Sequence, residues 1–407
     1  NENWKDLNRV ARNAFKNELD YYYLRMRAGI ASFKQNKYSQ ATKHFKKALL
    51  FNHLDPYPME YLSYSYLYSG KKDDAKYFYN NSKTKYTLPE IPELELKPVS
   101  EVIVNTAFFH NMENSPENKI DIINIYGIDG YQIISKQFSS KSLFLKHDIS
   151  SSFYLSQAAT VIFKTQYYLS SYNGGLYENN NNRALQYQYY LSAKVIPFQN
   201  FSILGSFHYI NYRIPSFYIY DTFNSTRYFM NGISKNYIAG DISIFKTFNY
   251  FKTGLGLSLA NLNEAGQLQK NFTLVFFPLG NLNLYLTSVL NHVKETKTGI
   301  VDEINILFRQ TLGTRIFNRL WIETTAYTGS LKNGVLNEGY LIYNTNEPVR
   351  KRYDVTFIFP FDRLTCNIFF SYYTFSSEFM LLNGINSDSN NMNFSSFLSS
   401  ISLKWNL

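Results

Sequence analysis

The C-terminal stretch of the chain, residues 394–407, places its apolar side chains predominantly on one parity. That parity holds Phe397, Ile401, Leu403, Trp405 and Leu407, whereas Ser, Lys and Asn dominate the other. Because successive side chains of a β-strand point to opposite faces, the pattern predicts a strand with one apolar and one polar face. A C-terminal strand of this kind is typical of the one that closes a transmembrane β-barrel of the bacterial outer membrane.

The same alternation recurs through most of the last three quarters of the chain, for example in residues 185–195, 282–291, 303–311 and 352–359. A β-sandwich would show it too, with the apolar face inward. The alternating segments reach about 11 to 14 residues, longer than the ~5–6 of globular sheets and close to the ~9–11 of a tilted membrane span. No run of about 18 apolar residues occurs, so any membrane span must consist of strands.

The N-terminal quarter differs, because its apolar residues recur at helical spacing. Two sets of small and large apolar positions lie 34 residues apart: Ala41, Phe45 and Ala48 precede Ala75, Tyr79 and Ser82. This period resembles that of the tetratricopeptide repeat family, in which small residues allow two helices to cross closely. The resemblance covers residues 22–84, after a leading helix over residues 3–18. An ordinary pair of helical hairpins is the alternative.

Three prolines in a short acidic segment, Pro89, Pro92 and Pro98, mark a domain boundary, because proline stops helices and favours an extended strut. We therefore divide the chain into a helical domain (residues 1–87), a linker (88–98) and a β-barrel (99–407). Residues 99–130 have mixed parity, so an extra hairpin, a periplasmic cover and a plug all stay open. The predicted fold class is a short tetratricopeptide-like helical domain followed by an antiparallel outer-membrane β-barrel.

The connections predict the orientation of this barrel. Short Pro- or Gly-containing connections fall at residues 197–200, 248–250, 278–281, 313–315 and 360–362, whereas long polar ones fall at 171–182, 214–235 and 378–391. Outer-membrane barrels have short periplasmic turns and long outer loops, which places both the C-terminus and the helical domain in the periplasm. That requires an even number of strands. We predict 14, with 12 or 16 as alternatives, including one strand over residues 143–155.

Charged residues of both signs fall on the inward parity of the predicted strands. They are Lys164, Lys194, Asp241, Lys252, Glu303, Arg309, Arg319, Glu323, Arg352 and Asp354. Ion-selective pores use rings of one sign, whereas interleaved signs can pair across a narrow lumen and block it. The pattern therefore predicts an occluded barrel, with a narrow conduit as the alternative.

Candidate catalytic and metal-binding groups are sparse. The six histidines show no pair at ligand spacing, and a single cysteine, Cys366, cannot form a thiolate site. Parity separates His147 from Asp148, so a hydrolase triad with converging faces is not expected. We therefore expect a non-enzymatic protein without a metal or cofactor.

Most of the formal net charge of +10 lies in the first 98 residues. We expect Arg25, Arg27 and Lys34 to bind an acidic protein partner, since the predicted compartment contains no nucleic acid. An anionic polymer as the partner and a merely solvated basic face are the alternatives. The arrangement resembles YaiO-type proteins and exopolysaccharide-export porins, and the Asn, Lys, Tyr and Phe bias is similar to that of Bacteroidota. The resemblance implies that the repeats bind a protein, and that the barrel either anchors the chain in the membrane or lets a solute pass.

These observations lead to two functional hypotheses. The first is an outer-membrane barrel in contact with lipid, whose periplasmic repeats dock a periplasmic or outer-membrane protein as a scaffold or accessory subunit of an envelope assembly or transport complex. The second is an export conduit for polysaccharide or another extended solute.

Overall fold

The computed structural model describes residues 3–111, 130–172, 175–214, 217–220, 227–230, 232–297, 302–383 and 386–407. Within these ranges, five α-helices precede a closed antiparallel β-barrel of 14 strands. The predicted barrel and its strand number are therefore confirmed. None of the helices in the described part of the chain is long and apolar enough to cross a membrane.

The helices pack as consecutive antiparallel neighbours. They are α1 (Trp4–Lys16), α2 (Tyr22–Lys34), α3 (Tyr38–Phe51), α4 (Pro56–Tyr68) and α5 (Lys72–Lys83), followed by a 3-10 turn at Pro92–Leu94. Asp55 caps α4 by accepting a hydrogen bond from the Tyr57 amide at 2.8 Å, and Pro56 supplies a favoured first residue.

The residues paired by the 34-residue spacing all lie in the interior of the helical domain. A Cβ on Gly29 would lie 2.6 Å from the ring of Phe45, so glycine lets α2 and α3 approach closely. The packing agrees with the small and large positions deduced from the sequence. Membership of the tetratricopeptide family stays a prediction.

The barrel strands follow chain order around the wall, apart from one small inserted hairpin. The strands are β1 (Glu101–Asn111), β2 (Gly130–Asp148), β3 (Phe153–Tyr172), β4 (Gly175–Phe198), β5 (Phe201–Ile214), β6 (Phe217–Tyr220), β7 (Arg227–Met230), β8 (Ile233–Thr247), β9 (Phe251–Leu262), β10 (Ala265–Phe276), β11 (Leu284–Thr296), β12 (Glu303–Phe317), β13 (Leu320–Leu336), β14 (Leu341–Phe361), β15 (Leu364–Asn383) and β16 (Asn386–Asn406). Strands β6 and β7 pair only with each other as a separate two-stranded sheet.

Strand β1 closes the barrel by pairing with both β2 and the C-terminal strand β16. Val102 lies opposite Trp405, and Thr106 lies opposite Ile401. Residues 101–111 of the ambiguous segment are thus a wall strand, while 112–129 lie outside the described residues. The parity of β1 is blurred because an inward-facing residue, Phe109, is apolar and stacks on Phe138 at 4.4 Å.

The exterior of the barrel is apolar and its interior is polar. In β8, for example, Ile242 is 55% exposed, whereas the neighbouring Asp241 is 5% exposed. Leu255, Leu257 and Leu259 of β9 are likewise exposed, while Ser258 between them is buried. This inversion of the globular pattern is stable when the exterior contacts lipid, so the barrel is of the transmembrane type.

Four of the five predicted short connections are confirmed at residues 199–200, 248–250, 277–283 and 362–363. The turn predicted at 313–315 is wrong, because Gly313 lies inside β12. A Cβ there would lie 2.1 Å from the ring of Tyr285, so this glycine makes room for an aromatic side chain and not for a turn.

The predicted strand over 143–155 is also wrong, because it spans the end of one strand and the start of the next. Strand β2 ends at Asp148 and β3 begins at Phe153, with a tight turn in which the Ser150 amide donates to the Phe153 carbonyl at 3.0 Å. Among the residues predicted as long loops at 171–182 and 378–391, those that the structure describes instead extend the β3–β4 and β15–β16 hairpins.

Candidate functional site

The β13–β14 hairpin leaves the barrel wall at its far end. Pairing of the two strands is regular as far as Thr328 and Lys351, then shifts twice before Asn333 pairs with Asn344. The shift occurs at Gly329, whose φ is +115° and whose Cβ would lie 2.1 Å from the Ile306 carbonyl oxygen. Only glycine tolerates this conformation and this approach. We call residues 331–349 the lumen hairpin.

The tip of the lumen hairpin contacts the wall of β4 and β5. The Glu338 carbonyl accepts hydrogen bonds from Ser206 Oγ at 2.7 Å and from the Tyr190 hydroxyl at 3.3 Å. His208 Nδ1 donates to the Gly339 carbonyl at 2.8 Å. These contacts place the tip in the lumen, against residues well inside β4 and β5.

Further contacts join the hairpin to the wall at other points around the lumen. The Gln269 side chain of β10 bonds both main-chain groups of Val335, at 2.6 Å and 3.1 Å. Tyr340 packs edge-on against Tyr190 at 5.3 Å and against Phe144 of β2 at 5.8 Å between ring centroids. The hairpin therefore spans the lumen and joins opposite parts of the wall, and the contacts at Val335 and Tyr340 are between neutral groups.

The helical domain covers the end of the barrel that carries the short turns, which we call the short-turn end. Asp73, in the first turn of α5, accepts hydrogen bonds from Lys146 Nζ at 3.0 Å and from Lys194 Nζ at 2.5 Å. Burial raises the pKa of the Asp73 carboxyl, but the two ammonium groups outweigh it and hold the pKa well below its usual value. The carboxylate thus bridges β2 and β4 across the mouth.

A second ion pair joins α5 to the barrel at Asp148. Its carboxylate pairs with Lys76 Nζ and accepts from Ser100 Oγ at 2.8 Å, and both charged side chains are buried. Breaking a buried pair by removing one partner typically costs ~3–5 kcal/mol. This pair is therefore a major contact between the helices and the barrel.

Main-chain groups of the short turns complete the interface. Lys71 Nζ donates to the Phe248 and Asn249 carbonyls at 2.7 Å and 2.9 Å, and burial lowers the pKa of Lys71 to about 8. The Ser39 amide donates to the Gly280 carbonyl at 3.1 Å. The helical domain therefore docks through both α3 and α5, and we call α1–α5 the helical cap.

The lumen hairpin and the helical cap approach each other inside the barrel. Lys252 of β9 lies within electrostatic range of Glu338 at the hairpin tip and of Asp73 and Asp74 on the cap. Lys194 likewise contacts Asp73 and lies within range of Glu338. The two elements thus lie at successive levels of one lumen.

Several residues predicted to face the lumen contact these closing elements or each other. Lys194 bonds Asp73, and an Arg309 guanidinium nitrogen donates to Asn337 Oδ1 of the hairpin. Arg352 and Asp354 form a buried pair at 2.7 Å. Charges of opposite sign on the inward parity therefore do meet in the structure.

The other predicted lumen residues have varied surroundings. Asp241 is buried and accepts from Ser243 and Ser258, and Lys164 Nζ lies 5.2 Å from the Tyr212 ring centroid. Glu323 accepts from the Tyr285 hydroxyl, and Glu303 is exposed and accepts from Asn305 at 3.0 Å. Arg319 lies in the turn between β12 and β13 and is exposed, so it is not within a strand.

The three residues of the helical domain that were predicted to bind a partner have different surroundings. Arg25 forms an ion pair with Asp20 at 2.5 Å, and its guanidinium lies 3.8 Å above the Phe15 ring. Arg27 and Lys34 are exposed. Arg25 therefore holds α2 to its neighbours, and its interaction with a partner stays a prediction.

Sequence reasoning did not single out Lys71, Asp73, Lys76 or the lumen hairpin. A signal for the first three was present in the alternating charges at the start of α5, which a solvated helix face also shows. For the hairpin, Asn333-Gly334 and Asn337-Glu338-Gly339 are turn sequences within a stretch rich in apolar residues. Within the described residues, no group of His, Cys, Asp and Glu could hold a metal ion.

No protein-family model and no curated protein sequence matches the chain. Similar solved structures are outer-membrane proteins. A FadL homologue of Pseudomonas aeruginosa is 10% identical, with a TM-score of 0.45 over 87% of this chain and 94% of that one. The Pseudomonas putida toluene transporter TodX is 6% identical, with a TM-score of 0.45 over 76% and 90%.

A bacterial polysaccharide outer membrane secretin is 6% identical, with a TM-score of 0.38 over 77% of this chain and all of that one. At such low scores these similarities carry no inference about solute or mechanism. The fold and the site by themselves define a transmembrane barrel of 14 strands with a hairpin in its lumen and a helical cap over one end.

Proposed function

We propose that the protein is a gated solute conduit of the bacterial outer membrane, closed in this state by the lumen hairpin and by the helical cap. The observation that carries the proposal is the polar interface between hairpin and wall. Ser206, His208 and Gln269 bond main-chain groups of the hairpin. Exchanging such a hydrogen bond for one to water costs only about 0.5–1.5 kcal/mol. The hairpin can therefore leave the wall, and water can hydrate the polar groups that it exposes.

The orientation follows from the turns. Outer-membrane barrels have short periplasmic turns, and the short-turn end of this barrel carries the helical cap. The cap is therefore periplasmic, and the β3–β4, β13–β14 and β15–β16 hairpins begin at the outer side. This assignment supports passage between the cell exterior and the periplasm, with one closing element on each side.

Solute uptake by proteoliposomes tests the conduit. In one protein, residues 330–349 are replaced by a two-residue Asn-Gly turn, and Asp73→Asn and Lys76→Gln loosen the cap. The matched control carries the same cap substitutions and a comparable shortening of the β15–β16 hairpin at residues 377–392. We expect osmotic swelling in small polar solutes with the first protein only. Equal swelling rates of the two proteins would contradict the proposal.

We propose partner docking by the cap as a second candidate function. It is supported by exposed apolar side chains at the helix ends opposite to those that contact the barrel. Tyr23, Leu50 and Leu54 lie there, and Leu50 is 77% exposed. Periplasmic or outer-membrane proteins that co-purify with the parent should be lost from Tyr23→Ser/Leu50→Ser protein and retained by Arg27→Gln/Lys34→Gln protein. The reverse result would restore the basic residues as the docking surface.

A further inference from the structure

Four tyrosines lie along one side of α4. They are Tyr57, Tyr61, Tyr64 and Tyr68, at spacings of four, three and four residues. Because an α-helix has ~3.6 residues per turn, these spacings bring the four side chains to the same side of the helix, which we call the tyrosine face. Buried residues of α4, such as Met59 and Tyr66, lie on the opposite side. The tyrosine face is therefore distinct from the side that α4 buries in the core.

The rings of the tyrosine face form a continuous array with a ring of α2. The Phe33 ring centroid lies 5.3 Å from that of Tyr61 and 6.0 Å from that of Tyr68. Tyr57 lies 5.4 Å from Tyr61, and Tyr64 lies 5.8 Å from Tyr68. The first and last tyrosines, which are ~16 Å apart along the helix, are 53% and 44% exposed. The array is thus a preformed aromatic surface that solvent reaches at both ends.

The tyrosine face also offers hydrogen-bond donors. Within the described part of the chain, the hydroxyl groups of Tyr64 and Tyr68 have no hydrogen-bond partner. Burial raises the pKa of both hydroxyls and nearby carboxylates raise it further, so both groups stay protonated. A ligand on this face therefore meets apolar rings together with phenol O–H groups that can donate to it.

Two carboxylates flank the same face. Glu60 of α4 lies within electrostatic range of Tyr64, and Glu93 of the 3-10 turn lies within range of Tyr68. Glu93 is exposed and Glu60 is half-buried. The face therefore favours a ligand with a basic group and disfavours an anionic one.

The chain itself shows how this cap holds a proline-containing segment. Tyr79 of the neighbouring helix α5 donates from its hydroxyl to the Pro89 carbonyl at 3.0 Å, and it accepts from the Ile91 amide at 3.2 Å. Leu88 and Ile91 of the same segment are buried. A tyrosine hydroxyl thus already binds the main chain of a proline-containing segment on one helix of the cap.

We propose that the tyrosine face binds a proline-rich segment of another envelope protein, with a basic residue beside the prolines. Such a segment forms a polyproline II helix without internal hydrogen bonds, and its prolines have carbonyl acceptors but no N–H donors. The tyrosine face matches this chemistry, because its rings pack against proline and its hydroxyls donate to carbonyl groups. An α-helical ligand would bring few free carbonyls, and a β-strand would need a strand edge to pair with.

Length and charge agree with this ligand. A polyproline II helix rises ~3.1 Å per residue, so the ~16 Å of the tyrosine face accommodates about five residues. Glu60 and Glu93 can pair with lysine or arginine at the ends of such a segment. The inference rests on the second candidate function, docking by the cap. It assigns that function a partner chemistry and a surface other than Tyr23, Leu50 and Leu54.

Equilibrium binding to the purified full-length chain tests the proposal. The fluorescent peptide probes are Arg-Pro-Pro-Pro-Pro-Pro-Arg, Arg-Ala-Ser-Ala-Ser-Ala-Arg and Gln-Pro-Pro-Pro-Pro-Pro-Gln. Because a proline backbone is largely fixed before binding, the first probe should bind at least ~10-fold more tightly than the alanine-serine probe. Equal binding of these two probes, or no saturable binding of the first, would overturn the proposal.

Substitutions that keep the rings locate the site. Tyr64→Phe/Tyr68→Phe removes both hydroxyl donors and should weaken binding of the first probe at least ~5-fold. Tyr21→Phe/Tyr23→Phe removes two exposed hydroxyls outside the tyrosine face and should bind as the parent does. Parent-like binding by the Tyr64→Phe/Tyr68→Phe protein would overturn the assignment to this face.

Paired changes in protein and peptide test the charges. At low salt, the arginine ends should favour the first probe over the glutamine-ended probe by ~1.5–5-fold in the parent. In Glu60→Gln/Glu93→Gln protein, the two proline probes should bind equally. An arginine preference of the parent size in this variant would overturn the pairing with these carboxylates.

The outcome is separable from those of the two proposed functions. Displacement of the first probe by maltoheptaose would assign the face to carbohydrate and overturn the proposal. Peptide binding without swelling by the hairpin-excised protein would refute the conduit and keep this surface. Absence of peptide binding, together with loss of co-purifying proteins from Tyr23→Ser/Leu50→Ser protein, would refute this surface and keep docking by the cap.

Discussion

The lumen hairpin and the helical cap, which we propose close one barrel, are held in place by different chemistry. The hairpin is held by hydrogen bonds between neutral groups and by aromatic packing, as at Ser206, Gln269 and Tyr340, together with hydrogen bonds between one charged and one neutral group, as from Arg309 to Asn337. The cap is held in large part by ion pairs, with Asp73 bridging Lys146 and Lys194. Both elements use main-chain carbonyl groups as acceptors, so the difference lies in the charges.

This difference means that the two closing elements can respond to different signals. Salt screens charge attraction over a Debye length of ~10 Å at 0.1 M and ~3 Å at 1 M, and it acts weakly on neutral contacts. A solute in the lumen would meet the hairpin tip, whereas the ions and proteins of the proposed periplasm would meet the cap. Independent control of each element follows from the contacts that hold it.

The largest expected effect comes from removing the buried ion pair that holds the cap to the barrel. Lys76→Gln leaves Asp148 buried without its counter-ion, which costs ~3–5 kcal/mol. We expect slower disulfide formation between cysteines at Asn81 and Ser151, whose side-chain oxygens lie 3.2 Å apart across the interface, in a Cys366→Ser background. Lys404→Gln, which removes a partly exposed pair with Glu101, should leave the rate unchanged. Parent-like crosslinking of Lys76→Gln would show that this pair does not hold the cap.

For the hairpin, the corresponding change is Gly329→Ala. The left-handed backbone alone costs ~1–3 kcal/mol for a residue with a side chain, and the new Cβ collides with the Ile306 carbonyl. Leu336→Cys, buried in the parent, should then react faster with a soluble maleimide. Gly205→Ala, where no atom lies within 4 Å of the added Cβ, is the control. Unchanged labelling would mean that the kink does not direct the hairpin inward.

Salt should affect the docking of the cap more than the position of the hairpin, and the effect should be smaller than that of either substitution. Between 0.1 M and 1 M NaCl we expect the cap crosslinking rate to fall, because a partly exposed pair such as Asp73 with Lys146 contributes up to ~1 kcal/mol. Labelling of Leu336→Cys should not change. A salt effect on the hairpin of the same size as that on the cap would remove the proposed distinction.

Acid should have the smallest effect, confined to low pH. The pKa of Asp73 is held well below 3.8, so its contribution to docking is present above that pH and is lost as the pH falls through the lowered value. Burial raises the pKa of Asp74, so its protonation favours docking and opposes this loss. Cap docking, followed by the distance between spin labels attached at positions 81 and 151, should be constant from pH 7 to about 5 and be lost below about 3.8. Asp73→Asn should abolish this acid response, and an unchanged acid response in that variant would assign it elsewhere.

Much of the wall was predictable because lipid imposes a simple rule on it. Outward residues such as Ile242 and Ile401 are apolar and inward ones such as Asp241 are polar, which gave the strands and their number. Strand β1 was harder, since Phe109 faces inward and is apolar. Gly313 resembled a turn residue because spacing does not reveal that Tyr285 packs on it.

The closing elements could not be predicted in the same way, because their contacts join distant parts of the chain. Asp73 meets Lys194 across 121 residues, and no local period encodes that distance. The lumen hairpin lies within a single β13–β14 connection, but its inward direction depends on one backbone angle at Gly329. Mixed charges on the inward parity predicted an occluded lumen, without indicating which elements would occlude it.

The central claim is that two elements close the lumen in series, and conductance of four proteins in planar bilayers tests it most directly. The proteins are the parent, the hairpin-excised variant, the Asp73→Asn/Lys76→Gln cap variant and their combination. Because barriers in series each suffice to block flow, we predict near-background conductance for the first three and stable large conductance for the combination. Full conductance from either single variant would contradict the account, as would a closed combination.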